Sequence, residues 1–145
     1  MNRNEARDVI NGHATLSWTA ALQALGLTGE IRYQGVAKEQ PAQGKIWSRV
    51  SFQTVDEYQE TLKNSDVRRW VTVGIIYVQI MVPRTLGTAQ VISDKLAELV
   101  RNDFRDRNVE EHLEFTAAAI DDNVAPEPSW LVVNVTTRFW YRQFI

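Results

Sequence analysis

The chain has 145 residues, the usual length of one domain that buries roughly 70 % of its unfolded surface. Hydrophobic residues make up 44 % and charged residues 23 %, which excludes a disordered, collagen-like or coiled-coil protein. The absence of cysteine excludes disulfides and cysteine nucleophiles, and the formal net charge of -2 argues against direct, sequence-specific binding of nucleic acid. We therefore predict a single domain over residues 1–145, whose composition does not reveal its function.

Neither a secretory signal nor a membrane-spanning helix is predicted. Met1–Ile10 is rich in charged side chains and lacks the apolar segment of a signal peptide. The longest apolar stretch, Val71–Val82, has about 12 residues, whereas a helix needs about 20 to span a bilayer. We expect no contact with a membrane.

The N-terminal region is predicted to form an amphipathic helix between Asn4 and Leu25. Its apolar residues recur at steps of three or four, which places them on one helix face. Gly26 supplies a signal for the C-terminal end of the helix. The apolar residues of this face are Ile10, Ala14, Trp18, Leu22 and Leu25.

Two strands with long polar connections are predicted to follow. Ile31–Gln34 is a short strand, and Gly35–Gly44, which contains a proline, is a surface loop. Lys45–Val55 alternates apolar and polar residues, as in a strand with one solvated face. The polar segment Asp56–Arg69 is interpreted as a long loop or a short solvated helix.

The middle of the sequence predicts a central strand and a second helix. Val71–Val82 is apolar at both alternating sets of positions, so both of its faces should be covered. Pro83 ends it, and Thr85 or Thr88 can cap a helix that is expected to stop near Asn108. The apolar stripe of this helix is Ala89, Ile92, Leu96, Leu99 and Val100, and its last turns hold Arg101, Arg105 and Arg107.

Two strands complete the predicted fold. Leu113–Ala119 alternates apolar and polar residues and ends at an acidic, proline-containing turn. Trp130–Phe144 is a long strand with one apolar face and one polar face. The element order predicts an α+β domain, a mostly antiparallel sheet of about five strands with two main helices packed on one side.

The residues that could carry catalysis or hold a metal form no persuasive site. His13 is interpreted as a partly buried, hydrogen-bonded histidine beside the first helix face. His112 and Glu114 share one face of a strand, but no second histidine or cysteine follows at ligand spacing. Asp121 and Asp122 occupy a turn in which adjacent side chains diverge. We predict no catalytic residue, no metal and no cofactor, and hence no enzyme.

Two basic and aromatic clusters are candidate protein-interaction sites. Tryptophan and arginine are enriched at the energetic centres of protein interfaces. A tryptophan between arginines on the polar face of the final strand is better explained by a partner surface than by solvent. The candidate interface residues are Arg68, Arg69, Trp70, Arg138, Trp140 and Arg142.

Gly74–Phe104 resembles the tail terminator-like proteins of long-tailed phages and prophages. In that family a central strand leads through a glycine-containing loop into a helix with a small residue and an aliphatic stripe. An acidic turn and a long strand from Trp130 that ends in aromatic residues also match, so the resemblance covers most of the chain. Ile31–Gln34 departs from it, because relatives often have a Trp-Pro or Trp-Asn element there. The matching positions are Gly74, Val78, Gln79, Ile80, Pro83, Gly87 and Ala89.

The resemblance implies a structural function. Such proteins form a ring, usually of six subunits, that caps the growing tail tube and offers a surface for joining to the head. The implied partners are further copies of the chain, the major tail tube protein and a head-completion or connector protein. The implied location is the virion tail, after assembly in the cytoplasm of the bacterial host.

Two alternatives remain open at the level of sequence. A head-to-tail connector or neck protein would have a similar small α+β fold and a similar structural function. A small metal- or ligand-binding enzyme domain would use His112, Glu114 and the turn at Asp121 and Asp122. Metal analysis with a His112→Ala variant would separate the second alternative from the structural interpretation.

Overall fold

The computed structural model of the protein contains one curled, six-stranded sheet and two helices. It describes residues 1–36, 38–41, 44–60, 68–105 and 107–144. The elements in chain order are α1 (Arg3–Ala24), β1 (Gly29–Tyr33), β2 (Ile46–Gln59), β3 (Arg69–Pro83), α2 (Ala89–Phe104), β4 (Arg107–Glu110), β5 (Leu113–Asp121) and β6 (Trp130–Phe144).

The strand order across the sheet is β1-β2-β3-β6-β5-β4. β1 runs parallel to β2, and the other neighbouring pairs are antiparallel. The α+β class is therefore confirmed, but the sheet is mixed and six-stranded, where a mostly antiparallel sheet of about five strands was predicted. The connection after β1 returns the chain to the end at which β1 began, which makes β2 its parallel neighbour.

β2 is longer than its alternating pattern predicts. The register with β3 shifts between Thr54 and Asp56, and pairing then continues from Asp56 to Gln59. A β-bulge of this kind adds one residue to a strand and reverses the alternation beyond it. The prediction of a loop or short helix over Asp56–Arg69 was therefore wrong at both ends, and residues 61–67 lie outside the described residues.

α1 begins at a side-chain cap, whereas Thr88 at the start of α2 makes no side-chain cap hydrogen bond, although it was predicted as a possible cap. The side chain of Asn2 accepts a hydrogen bond from the Glu5 backbone N–H, and Glu5 accepts one from the Asn2 N–H, which forms a capping box at the start of α1. α2 ends at Phe104 rather than near Asn108. Its predicted continuation belongs instead to β4, because the chain turns back there to pair with β5.

The main core lies between the helices and one face of the sheet. Ile10 and Trp18 of α1 and Leu96 of α2 are almost fully buried against this face. Gly74 of β3 lies beneath the ring of Phe139, where a side chain would not fit. Both helices pack on the same side, as predicted. Among the described residues, neither helix is long and apolar enough to cross a membrane.

Candidate protein-interaction surface

The sheet has a second face, directed away from the helices, which we call the open face. Alternation along β3 and β6 directs every second side chain to this face. Val71 and Met81 are buried toward the two ends of this face, and Phe144 is exposed. The middle of the face is half-buried apart from the exposed Arg138, and its side chains are Val73, Ile75, Tyr77 and Gln79 on β3 and Asn134, Thr136, Arg138, Trp140 and Arg142 on β6.

The structure brings four of the six predicted interface residues together on the open face. Arg69 on β3 and Arg142, Trp140 and Arg138 on β6 share this side of the sheet, because β3 and β6 pair in register from Arg69↔Phe144 onward. Trp70 alternates to the opposite face, next to Gln143. Arg68 is exposed and precedes the strand. Arg69 of the first cluster and all three residues of the second therefore lie on one surface, and Arg68 and Trp70 lie outside it.

Glu60 connects these residues and was not identified from the sequence. Its Oε2 lies 2.6 Å from Arg69 Nε and 3.3 Å from Arg142 Nε. The guanidinium of Arg142 in turn lies 4.4 Å from the centre of the Trp140 ring. One carboxylate thus fixes two arginines, and one of them stacks on the tryptophan, so the basic and aromatic group is held in a defined arrangement.

A shallow groove of about 340 Å³ crosses the middle of the open face. Ile75 and Tyr77 form one side of it, and the small side chains of Ala117 and Ala119 form the other. Arg138 and Asp121 also line the groove. Both alanines are exposed, so the groove is open to a partner. The alternating pattern of β5 could have assigned Ala117 and Ala119 to this groove only if the pairing of β5 with β6 had been known.

One end of the open face is closed by an aromatic cluster. The rings of Trp47 and Trp130 meet edge to face with their centres 5.8 Å apart, and Met81 packs against them. Beside them, Arg49 Nη2 donates a hydrogen bond to Gln79 Oε1 over 2.6 Å. A separate pocket of about 290 Å³, lined in part by Trp47, Arg49 and Trp130, lies at this end. The groove and the surface that extends toward Trp140 lie on the other side of it.

His13 lies on the other side of the sheet, inside the core. Its side chain is 10 % exposed, its Nε2 lies 3.3 Å from Asp103 Oδ2, and its ring centre lies 4.7 Å from that of Phe104. Burial lowers the pKa of His13 below 6.5, and the opposing attraction of Asp103 is the smaller effect. The burial agrees with the prediction of a partly buried histidine. The predicted hydrogen bond is not made by its Nε2, which has no hydrogen-bond partner among the described residues.

The residues of the alternative enzyme site are far apart. His112 occupies the turn before β5, and its ring lies edge to face against Phe144. Asp121 is the last residue of β5, so roughly 30 Å of extended strand separates the two at about 3.3 Å per residue. Within the described part of the chain, no group of three or more His, Asp or Glu residues is placed to hold a metal ion.

Comparison with known proteins adds little to this description. No protein-family model matches the sequence, and no curated protein matches it. Several solved structures match, and in one of them 95 % of this chain aligns with 96 % of the other at 15 % identity and a TM-score of 0.49. The name of that structure states no function.

Proposed function

We propose that this chain is a structural subunit that caps the tube of a phage tail as a ring of copies, most simply six. In this role it ends tail elongation and provides the surface that joins the tail to the head. It has no catalytic activity, and its partners are further copies, the major tail tube protein and a head-completion or connector protein. It works in the virion tail after assembly in the bacterial cytoplasm.

The open face is the observation that carries the proposal. It places Arg69, Arg138, Arg142 and Trp140 on the same face as the half-buried Ile75 and Tyr77, without a covering helix among the described residues. Arginine, tryptophan and tyrosine are the side chains that most often dominate protein interfaces. Together with the sequence resemblance over Gly74–Phe104, this surface supports a function performed by protein contacts.

Tube growth in vitro tests the proposal. Purified tail tube protein is allowed to polymerise with and without this chain, and tube length is measured by negative-stain electron microscopy. We expect shorter tubes with the wild-type chain, each with a ring at one end. Tubes of unchanged length without end rings would contradict the proposal.

Two variants assign the effect to the open face. Arg138→Ala removes an exposed cation from this face, and Trp140→Ala removes its largest ring. Both should restore longer tubes. Arg101→Ala is the matched control, because Arg101 lies on α2 and, among the described residues, its guanidinium bonds to the neighbouring Asn102 alone. Circular dichroism confirms that each variant is folded.

The connector alternative predicts a different result with the same purified proteins. A connector would bind the portal or head-completion proteins and leave tube length unchanged. Pull-down with separately purified tube and portal proteins therefore distinguishes the two structural functions. Binding to portal alone would replace the tail-capping proposal with the connector function.

A further inference from the structure

The outer surface of α1 is unusual for an exposed helix because it carries almost no charge. From Val9 to Gly29 the sequence contains no Asp, Glu, Lys or Arg, although such residues make up 23 % of the chain. Leu16 is 72 % exposed in the middle of this surface, between the exposed Gly12 and Ala20. Depletion of charge around an exposed leucine is typical of the centre of a protein interface.

The second helix serves as an internal comparison. The outer surface of α2 also exposes an aliphatic residue, Val91, at 52 %. The neighbouring exposed residues of α2, however, include Asp94, Lys95 and Glu98. The surface of α2 is therefore an ordinary solvated helix face, and the absence of charge distinguishes α1.

Charge complementarity identifies what covers this surface. Among the charged residues of α1, Arg3, Glu5 and Arg7 contact groups in their own chain. Asp8 is exposed and has no such contact among the described residues. On the open face Arg49, Arg69 and Arg142 are likewise engaged, whereas Arg138 is exposed and its guanidinium has no partner in the described part of the chain. Asp8 is thus an unpaired anion at the edge of the helix surface. Within the described residues Arg138 is the unpaired arginine of the open face, where the carboxylates of Glu114 and Asp121 also lie.

We propose that the outer surface of α1 in one copy packs on the open face of the next copy, with Leu16 in the groove between Tyr77 and Ala119 and Asp8 paired with Arg138. The inference rests on the proposed ring for its biological meaning. It adds the contact between neighbouring subunits, which the resemblance does not specify.

The dimensions of the two surfaces agree with this contact. Asp8 and Leu16 are two helical turns apart, about 12 Å at 1.5 Å per residue. Arg138 lies two residues along β6 from Thr136, which lines the groove, about 7 Å along the strand. An extended arginine side chain covers the remaining distance. Leu16 and Asp8 can therefore reach the groove and Arg138 together when α1 lies along β6.

The position of the two surfaces explains why such a contact would form a ring. α1 and the open face lie on opposite sides of the sheet, so the contact joins different surfaces of two identical chains. A contact of this kind is heterologous and leaves both outer ends free to bind another copy. It produces a closed ring when the rotation between neighbours divides a full turn.

Disulfide cross-linking provides the test, and the chain suits it because it contains no cysteine. The double variant Leu16→Cys/Ala119→Cys is oxidised alone and on tail tubes, then separated on non-reducing gels. We expect a ladder of covalent oligomers that ends at the ring size. The matched control Val91→Cys/Ala119→Cys moves one cysteine to the exposed aliphatic position of α2 and should give no ladder. A missing ladder, or an equal ladder in the control, overturns the inference.

Charge exchange tests the same contact without cross-linking. Asp8→Arg and Arg138→Glu should each weaken self-association about tenfold in sedimentation velocity, and the double variant should recover most of the loss. Glu98→Lys on α2 is the control for a surface charge change and should have no effect. Failure of the double variant to recover overturns the pairing. Tube shortening by the wild-type chain is measured separately, so the capping function can stand even if this contact is wrong.

Discussion

Gly74 shows how a single residue without a side chain permits the packing of the central strands. A β-carbon at this position would lie 2.4 Å from the backbone oxygen of Gln53 on β2 and 2.7 Å from the ring of Phe139, which is almost fully buried. The ring cannot move away, because it packs edge to face against Phe52 at 5.7 Å between centres. Gly74 is therefore required by the close packing of β3 against both β2 and β6, and its backbone conformation imposes no such requirement.

We predict that Gly74→Ala lowers the free energy of unfolding by about 1–3 kcal/mol, because the added methyl group overpacks the core. Gly12→Ala is the matched control, since Gly12 is exposed in α1 and an added β-carbon there meets no atom within 4 Å. This control should raise stability by up to about 1 kcal/mol through helix propensity. Urea unfolding of both variants measures the difference, and equal midpoints would contradict the packing argument.

The elements differ in how far local sequence determines them. α1 and the central strand β3 have strong apolar periodicity, and both were predicted within a few residues. β4 has four residues of polar character and pairs only through β5, so nothing in its own sequence distinguishes it from a helix end. The bulge at Val55 reversed the alternation of β2, which made its second half resemble a loop.

The open face could be recognised only from the register between β3 and β6. The sequence suggested the two clusters separately, and only the pairing of Val71 with Arg142 places Arg69 and Arg142 on one side. Glu60 has no local pattern that marks it, since its contacts come from two different strands. The parallel direction of β1 is also set by the path of the chain, which local periodicity does not contain.

Burial of His13 of α1 near the end of α2 makes the free energy of unfolding depend on pH. Because burial lowers the pKa of His13 in the folded state, the folded chain favours the neutral imidazole. As the pH falls through 6.5, His13 becomes protonated in the unfolded chain before it does so in the folded chain. The free energy of unfolding is therefore greater above pH 6.5 and declines below it. Asp103 and Arg107 have opposite effects on this pKa and do not remove the dependence.

We predict that His13→Gln reduces the loss of stability between about pH 7.5 and pH 5, because glutamine has no proton to take up in this range. Asp103 Oδ2 lies 3.3 Å from His13 Nε2, within reach of a glutamine amide, which is a hydrogen-bond donor, so the contact between the helices is preserved. Urea unfolding at a series of pH values compares the two slopes. Carboxylates contribute equally to both proteins, and identical slopes would show that His13 does not cause the effect.

At the scale of the whole molecule, the two proposed contact surfaces lie on opposite sides of one sheet. Leu16→Glu blocks the outer surface of α1 and leaves the open face intact, whereas Ala119→Glu, which fills the groove with a charged side chain, does the reverse. Neither variant should form a ring. A mixture should form a heterodimer, because the intact helix surface of one meets the intact open face of the other.

Native mass spectrometry of the mixture measures this pairing directly. The expected product contains one copy of each variant and does not grow further, since both outer surfaces are blocked. A two-fold contact between identical surfaces would instead leave one variant able to pair with itself. Homodimers of either variant would therefore contradict a head-to-tail arrangement.

The position of β3 in the sheet also affects how the protein is made. β3 pairs on one edge with β2, which precedes it, and on the other with β6, which follows only after α2, β4 and β5. Until β6 arrives, a strand that is apolar on both sides presents an unpaired edge, which is a template for aggregation. The yield of folded protein will therefore depend on competition between completion of the sheet and aggregation. Slower synthesis at low temperature should raise the yield of folded protein. It should do so more than a substitution that only increases the free energy of unfolding of the final fold.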